Sequence, residues 1–362
     1  MENCNNDKST LMLGALFAAS NSAKGFKSYY DEIFERKKYQ RIYIIKGGPG
    51  TGKSSFMRKV AEASEEKGYF VEYYYCSSDP ESLDGIIIDD RIVMLDGTAP
   101  HVCEIKIAGA RDEIINLGAF WDAEALRSKL DEIERLNKEK SAYYAKAYRF
   151  LAACGEVSDV NSELIFGCIK HSKMGSAITR LLLEFPDGAG AEIIPALCDS
   201  VGMKGNVRFD TYEKSAEKLY YIIDWYSSAH FYLSRLISEA QKKNMVLRVA
   251  YDPVCPQYPK CVYFCNEKVA FVISDGEDIN CNRINMKRFL NSSAVSEVKK
   301  EMRYNCKLYE ALLSSALDAL SDAGKIHFEL ENIYSSCMDF SSKEKYTASF
   351  CEMLCGILKN SH

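Results

Sequence analysis

The 362-residue sequence has no apolar run approaching the roughly 20 residues that a membrane-crossing helix requires, so no segment reads as a transmembrane span. It has no excess of positive charge: 46 lysines and arginines stand against 51 aspartates and glutamates, a net charge of -5. That excludes a global basic footprint for nucleic acid or an anionic membrane. It has no C-x2-C pair, although cysteines number 14. The closest grouping, Cys255, Cys261, Cys265 and Cys281, lacks the knuckle spacing of a zinc site, so isolated buried thiols are expected. The first 25 residues lack the basic start of a secretory signal, since Glu2 and Asp7 outweigh Lys8. Together these absences predict a soluble cytoplasmic protein with reduced thiols.

What is present is a repeat. Residues 115–168 lie over 284–337 without a gap at a constant offset of 169, pairing Asn116 with Asn285, Phe120 with Phe289, Gly155 with Gly324 and Cys168 with Cys337. Upstream, 41–63 matches 219–240 at an offset of 177 to 178, and LFAASNSAKG (16–25) falls on ALCDSVGMKG (196–205) at 180. The mid-chain counterpart marks the N-terminal segment as part of a folded domain.

Within the first copy, 11–19 reads as a buried strand, 25–38 as a helix, 41–46 as a strand, and 53–67 as a helix stopped by Gly68. A strand at 69–76, a helical turn at 80–84 and a strand at 91–95 follow. Strands alternating with helices predict an α/β fold, a mainly parallel sheet with flanking helices, duplicated, each half followed by a helical segment. From Asp122, an N-cap with Glu124 behind it, apolar residues at three-, four- and seven-residue spacing predict an amphipathic helix with Gly155 as a stop. It is expected to pack on its own domain or its repeat partner, or to act as an arm for a protein partner. The expected division is 1–121, 122–185, 186–290 and 291–362.

One motif carries chemistry. GGPGTGKS (47–54), between a β-rich strand and a helix, fits G-x-x-x-x-G-K-[ST], a loop whose backbone N–H groups cradle phosphates at a helix N-terminus. Gly47, Gly48, Pro49, Gly50, Thr51, Gly52, Lys53, Ser54 and Ser55 are the expected nucleotide contacts, with Lys53 on the β- and γ-phosphates and Ser54 on Mg2+. RIVMLDG (91–97) is expected to deliver Asp96 to the C-terminal edge of the sheet as the second Mg2+ residue. Gly97 follows it, so a water-orienting group must come from elsewhere. Asp79, with Ser77 and Ser78 in the next loop, and His101, with Thr98, are the candidates; the alternatives are that Asp79 caps a turn and His101 is structural. There is no N-K-x-D, which favours ATP over GTP.

Together KGGPGTGKSS, YCSSDPESLDG, MLDGTAPH and DEIINLGAFWD resemble a bacterial family of poorly characterised, tandemly duplicated P-loop ATP-binding proteins. The resemblance covers most of 10–155 and, more weakly, the repeat. It implies ATP binding and hydrolysis by P-loop domains with helical additions. The chain departs from the family at Tyr75, at the loop after His101 and, above all, in the second cradle. Between Leu219 and Gln241 there is no lysine and no glycine; Trp225, Tyr226, His230 and Phe231 stand there instead. Asp275 is aligned with Asp96, and Lys204, Arg208 and Arg235 are the cations of this half that could reach across. The expectation is a Mg2+-dependent ATPase with one active and one degenerate site, the rivals being a small-molecule kinase using the 76–85 loop and a non-hydrolysing ATP-gated interaction module.

Overall fold

The computed structural model describes residues 12–34, 39–100, 102–274 and 282–360. The first half runs β1 (Ala15–Phe17), β2 (Ala19–Ser22), β3 (Gly25–Ser28), α1 (Tyr30–Phe34), β4 (Arg41–Lys46), α2 (Lys53–Glu65), β5 (Val71–Tyr75), β6 (Leu83–Ile88), β7 (Ile92–Asp96) and β8 (Asp112–Asn116). Three helices follow: α3 (Ala123–Arg127), α4 (Leu130–Phe166) and α5 (His171–Leu182). The second half repeats the series with β9 (Glu192–Ala196), β10 (Asp199–Gly202), β11 (Gly205–Arg208), α6 (Thr211–Ser215), β12 (Lys218–Ile223), α7 (Ala229–Lys242), β13 (Val246–Tyr251), β14 (Pro259–Phe264), β15 (Val269–Ser274) and β16 (Asn282–Asn285). It ends in α8 (Ser292–Ser335) and α9 (Phe340–Asn360).

The two six-stranded sheets have the same order, β1-β5-β6-β7-β4-β8 and β9-β13-β14-β15-β12-β16. Even their irregularities match: the register shifts between Tyr74 and Tyr75 in one and between Ala250 and Tyr251 in the other. β4 lies inside the sheet, next to the edge strand β8, is parallel to both β7 and β8, and its buried IYII run has both faces covered. α2 turns Phe56, Met57, Val60 and Ala61 to the core and stops before Gly68, whose φ of 86° suits a residue without a Cβ.

Several local expectations are corrected. The sheets are mixed, because β6 and β14 pair antiparallel with both neighbours. β6 begins at Leu83, inside the expected helical turn; the continuous apolar run of 86–88 belongs to an inserted strand. The helix expected over 25–38 is a hairpin strand followed by the short α1, with 35–38 outside the described residues. The strand expected over 11–19 breaks into β1 and β2. Asp122 does cap a helix, accepting from Ala125 N at 3.0 Å. Gly155, however, does not end one: α4 runs through it to Phe166, and its missing Cβ lets Ala23 approach, since a Cβ there would lie 2.5 Å from Ala23 Cβ.

α4 and α8 pack antiparallel on each other. Ile133 and Leu136 meet Ile326 and Leu330 at one end, Ala147, Leu151 and Cys154 meet Ala316, Ala319 and Leu320 in the middle, and Asn305 donates to Asn161 towards the other. The amphipathic face therefore finds the repeat partner. The terminal helices then cross over. Met174, Ile178 and Leu182 of α5 join the core around α7, whereas Phe350, Leu354 and Leu358 of α9 join the core around α2. Reciprocal hydrogen bonds hold the crossings, Asp122 N to Cys337 O and Asn291 N to Cys168 O, both 2.8 Å.

The halves thus face each other about a pseudo-twofold axis. Phe17 and Leu197, equivalent residues, exchange backbone hydrogen bonds of 2.9 and 3.0 Å. Glu72 and Arg248 are also equivalent, opposite Ile87 and Tyr263 at matching registers, and they meet as a buried pair with N–O distances of 2.5 and 2.9 Å. Leu13 N and the Tyr74 hydroxyl complete the network. Two identical halves would put like charges here; the duplicated chain places one of each sign. Arg248→Met should destabilise by about 3–5 kcal/mol in denaturant unfolding, because it leaves Glu72 buried without its counter-ion. Adding Glu72→Met should recover a substantial part, whereas additive losses would contradict the pairing.

Candidate functional site

The 47–52 loop leaves the C-terminal end of β4 and turns into α2. Gly50 (φ 68°) and Gly52 (φ 77°) are left-handed, and a Cβ on Gly50 would come within 2.5 Å of the Glu331 carbonyl oxygen. Thr51 is buried and donates to Gly48 O at 2.9 Å, tightening the loop. Lys53 curls back, its Nζ donating to Gly47 O at 3.1 Å and Gly48 O at 2.8 Å, and lies 3.5 Å from Asp96 Oδ2. Ser54 Oγ accepts from Leu83 N at 3.0 Å. Asp96 is delivered by β7 to the same sheet edge, where its Oδ1 accepts from Thr98 N at 2.9 Å. Burial pushes its carboxyl above the usual range, and Lys53 and Thr98 act against that rise. Lys53, Asp96 and Thr98 are therefore brought together at one sheet edge, with Ser54 next to Lys53 in the first turn of α2.

The 76–82 loop reaches the same edge but is occupied. Asp79 accepts from Glu81 N at 3.3 Å and Ser82 Oγ at 3.0 Å, capping its own turn, and is ion-paired to Lys204 at 3.0 Å. Ser78 O accepts from Met203 N at 2.9 Å, and a Cβ on Gly202 would lie 2.2 Å from Ser77 O. This loop is a seam between the halves. Of the three cations suspected of reaching across, Lys204 does so; Arg208 pairs with Asp199 and Glu213, and Arg235 with Glu239 on its own helix. His101 and Cys281 lie outside the described residues. Cys255, Cys261 and Cys265 are separate buried thiols, and among the described residues no group of three or more His, Cys, Asp or Glu side chains could hold a metal ion.

Two residues escaped the sequence reading. Asp84, buried on β6, lies beside Asp96, Tyr30 and Cys76, whose hydroxyl and thiol are pushed well up by burial and by this carboxylate. Reading 80–84 as a helical turn hid it. Lys343 comes from α9, its Nζ 3.2 Å from Ser55 Oγ and 3.0 Å from where a Gly52 Cβ would be. The repeat, followed past Cys337 at the same offset, places it over Met174, and that substitution was the available signal. Trp121 and Tyr334 flank Gly48, so α8 and α9 both lie on the loop.

The second half closes the corresponding place. Asp224 Oδ1 accepts from Ala229 N at 2.8 Å, so a side-chain carboxylate caps α7 where the first half has a glycine loop and no side-chain cap on α2. Tyr226 and Ser227 take the turn with φ of 57° and 58°. Trp225 and Phe231 pack onto the core beneath, and His230 stacks on Tyr258 with ring centroids 4.1 Å apart and lies 3.2 Å from Ser162 Oγ. The alignment of Asp275 with Asp96 shifts. Ile45 lies opposite Asp96 and Ile115, and its counterpart Ile222 lies opposite Ile273 and Ile284, so Ile273 holds the Asp96 position. Asp275 itself is outside the described residues.

Burial lowers the pKa of His230 to about 4 from 6.5, so the ring is neutral in the folded protein at pH 7. The unfolded chain binds the extra proton between those values, so this contribution is present above pH 6.5 and is lost as pH falls towards 4, by roughly 3 kcal/mol in full. His230→Gln should therefore flatten the fall in stability between pH 6.5 and 4; an unchanged pH profile in thermal denaturation would contradict a buried neutral ring.

The chain matches no protein-family profile, no curated protein and no solved structure.

Proposed function

We propose that the first half binds ATP with Mg2+ and hydrolyses it, and that the second half binds no nucleotide. The observation that carries this reading is Lys53 at the start of α2, held between the Gly47 and Gly48 carbonyls and Asp96. Those carbonyls are stand-in partners that phosphate oxygens would replace, with charge-assisted bonds in place of neutral ones. Backbone N–H groups of the loop and the positive end of α2 would bind the remaining phosphate oxygens. Ser54 and Asp96 would hold the metal, which supplies charge neutralisation between the phosphates. Asp96 needs only to lose its contact with Lys53 as that ammonium turns to the ligand. The absent N-K-x-D favours adenine over guanine, in line with the family resemblance.

Asp79 is better suited to positioning than to proton transfer, because Lys204 neutralises it and its turn occupies both oxygens. Asp84, one strand from Asp96, is a further buried carboxylate at this edge. A second reading, an ATP-gated interaction module, has a specific observation in its favour: Glu331, Tyr334 and Lys343 of the second half lie directly against the loop, so occupancy would be felt by α8 and α9.

Phosphate release from ATP by the pure protein is expected without any acceptor, and Lys53→Ala should abolish it and weaken ATP binding at least tenfold. Release only with an added hydroxyl or amine acceptor would make the protein a kinase. Tight binding without release would favour the module, and ATP affinity untouched by Lys53→Ala would overturn the site.

A further inference from the structure

We propose that Lys343, from the last helix of the second half, is a second phosphate-binding cation of the first half's loop, placed on the α/β-phosphate side while Lys53 serves the β/γ side. This rests on the reading of the loop as a nucleotide site. The Lys343 side chain is 1% exposed, and its ammonium sits against Gly52 and 3.2 Å from Ser55 Oγ. Its described counter-charge, Glu344 at 3.3 Å, is itself 42% exposed and also paired with Lys59. A buried ammonium is costly unless well paired. Here it is aimed at the N-terminal end of α2, where the helix dipole and the loop N–H groups are already positive and Lys53 adds another charge. Beyond Asp96 on Lys53 and the exposed Glu344 on Lys343, these positive features leave room for a stronger anionic partner at the loop. In a loop of this kind the backbone N–H groups around Gly52 face the α- and β-phosphates.

The other half supplies an internal control. Met174 is the fourth residue of α5 as Lys343 is of α9: Met174 N donates to Lys170 O at 3.0 Å and Lys343 N to Asp339 O at 3.1 Å. Met174 is buried in the core of the second half, where Asp224 already caps the helix. The cation is present where the helix end has no side-chain cap and replaced by an apolar side chain of similar length where a carboxylate caps it. A nucleotide would then tie the first half's loop to the second half's terminal helix.

The test is Lys343→Met, which installs the residue of the closed half and removes charge with little change in volume. Titration calorimetry should show affinity for both ADP and ATP falling by about tenfold or more, by a similar factor for each. Hydrogen exchange should show that ADP protects 340–360 in the wild type and not in the variant. Lys343→Arg, which keeps the charge, should retain most of the binding, and Lys343→Gln, which removes it, serves if the Met variant fails to fold. Unchanged or tighter ADP binding in a folded Lys343→Met or Lys343→Gln protein would overturn the proposal. If Lys53→Ala abolishes binding while Lys343→Met and Lys343→Gln bind as the wild type does, Lys343 alone is misassigned; if the wild type binds neither nucleotide, the underlying site reading fails.

Discussion

The burial of α9 on the first half is the contact on which the site depends. Phe350, Leu354 and Leu358 complete the core over Phe56, Met57 and Val60, so α2 is held from its outer side by a helix that belongs to the other repeat. Removing three such side chains from water contributes several kcal/mol, by the usual 1.5–3 kcal/mol for each large apolar residue. That same docking brings Phe340 and Lys343 to Gly52 and lays the end of α8 on Gly48 and Gly50. The loop is consequently built by one half and roofed by the other. The 47–52 loop on an isolated first half would lack both its roof and part of its core.

Exchange of terminal helices also lets the two halves differ in their loops within one fold. α5 and α9 do equivalent packing on opposite halves, and α4 and α8 are locked by equivalent contacts about the pseudo-twofold axis. The frame is therefore indifferent to what the loops contain. At three places equivalent to those of the proposed site the second half has an apolar or self-satisfied group: Ile273 at the Asp96 position, Asp224 on the helix N-terminus, Met174 at the Lys343 position. Each removes a charge or donor that would otherwise be buried without a partner. The buried Glu72–Arg248 pair makes the asymmetry part of the core, since opposite charges at equivalent positions favour this pairing of halves over a pairing of like with like.

Much of this was legible in the sequence, and the limits have physical causes. The gap-free offset of 169 residues revealed the duplication, and the loop with its strand and helix located Lys53, Ser54 and Asp96, because motif, spacing and periodicity are all local. β6 was not legible, since three consecutive isoleucines after an Asx-type turn do not distinguish an inserted antiparallel strand from the end of a helical turn. Gly155 misled for a related reason: a glycine inside a helical pattern reads as a stop, and only the approach of Ala23 explains why it sits mid-helix. The pairing of Asp79 with Lys204 and the arrival of Lys343 depend on contacts between chain segments more than 100 residues apart, which no local pattern encodes.

The proposed function makes the molecule asymmetric, with one nucleotide site in a chain that has two equivalent places for one. Its most direct test is the stoichiometry of Mg-ATP or Mg-ADP binding to the intact chain by equilibrium titration. One nucleotide per chain, lost in Lys53→Ala and unaffected by Asp224→Asn, is the predicted result. Two nucleotides per chain, or one that persists in Lys53→Ala, would contradict it.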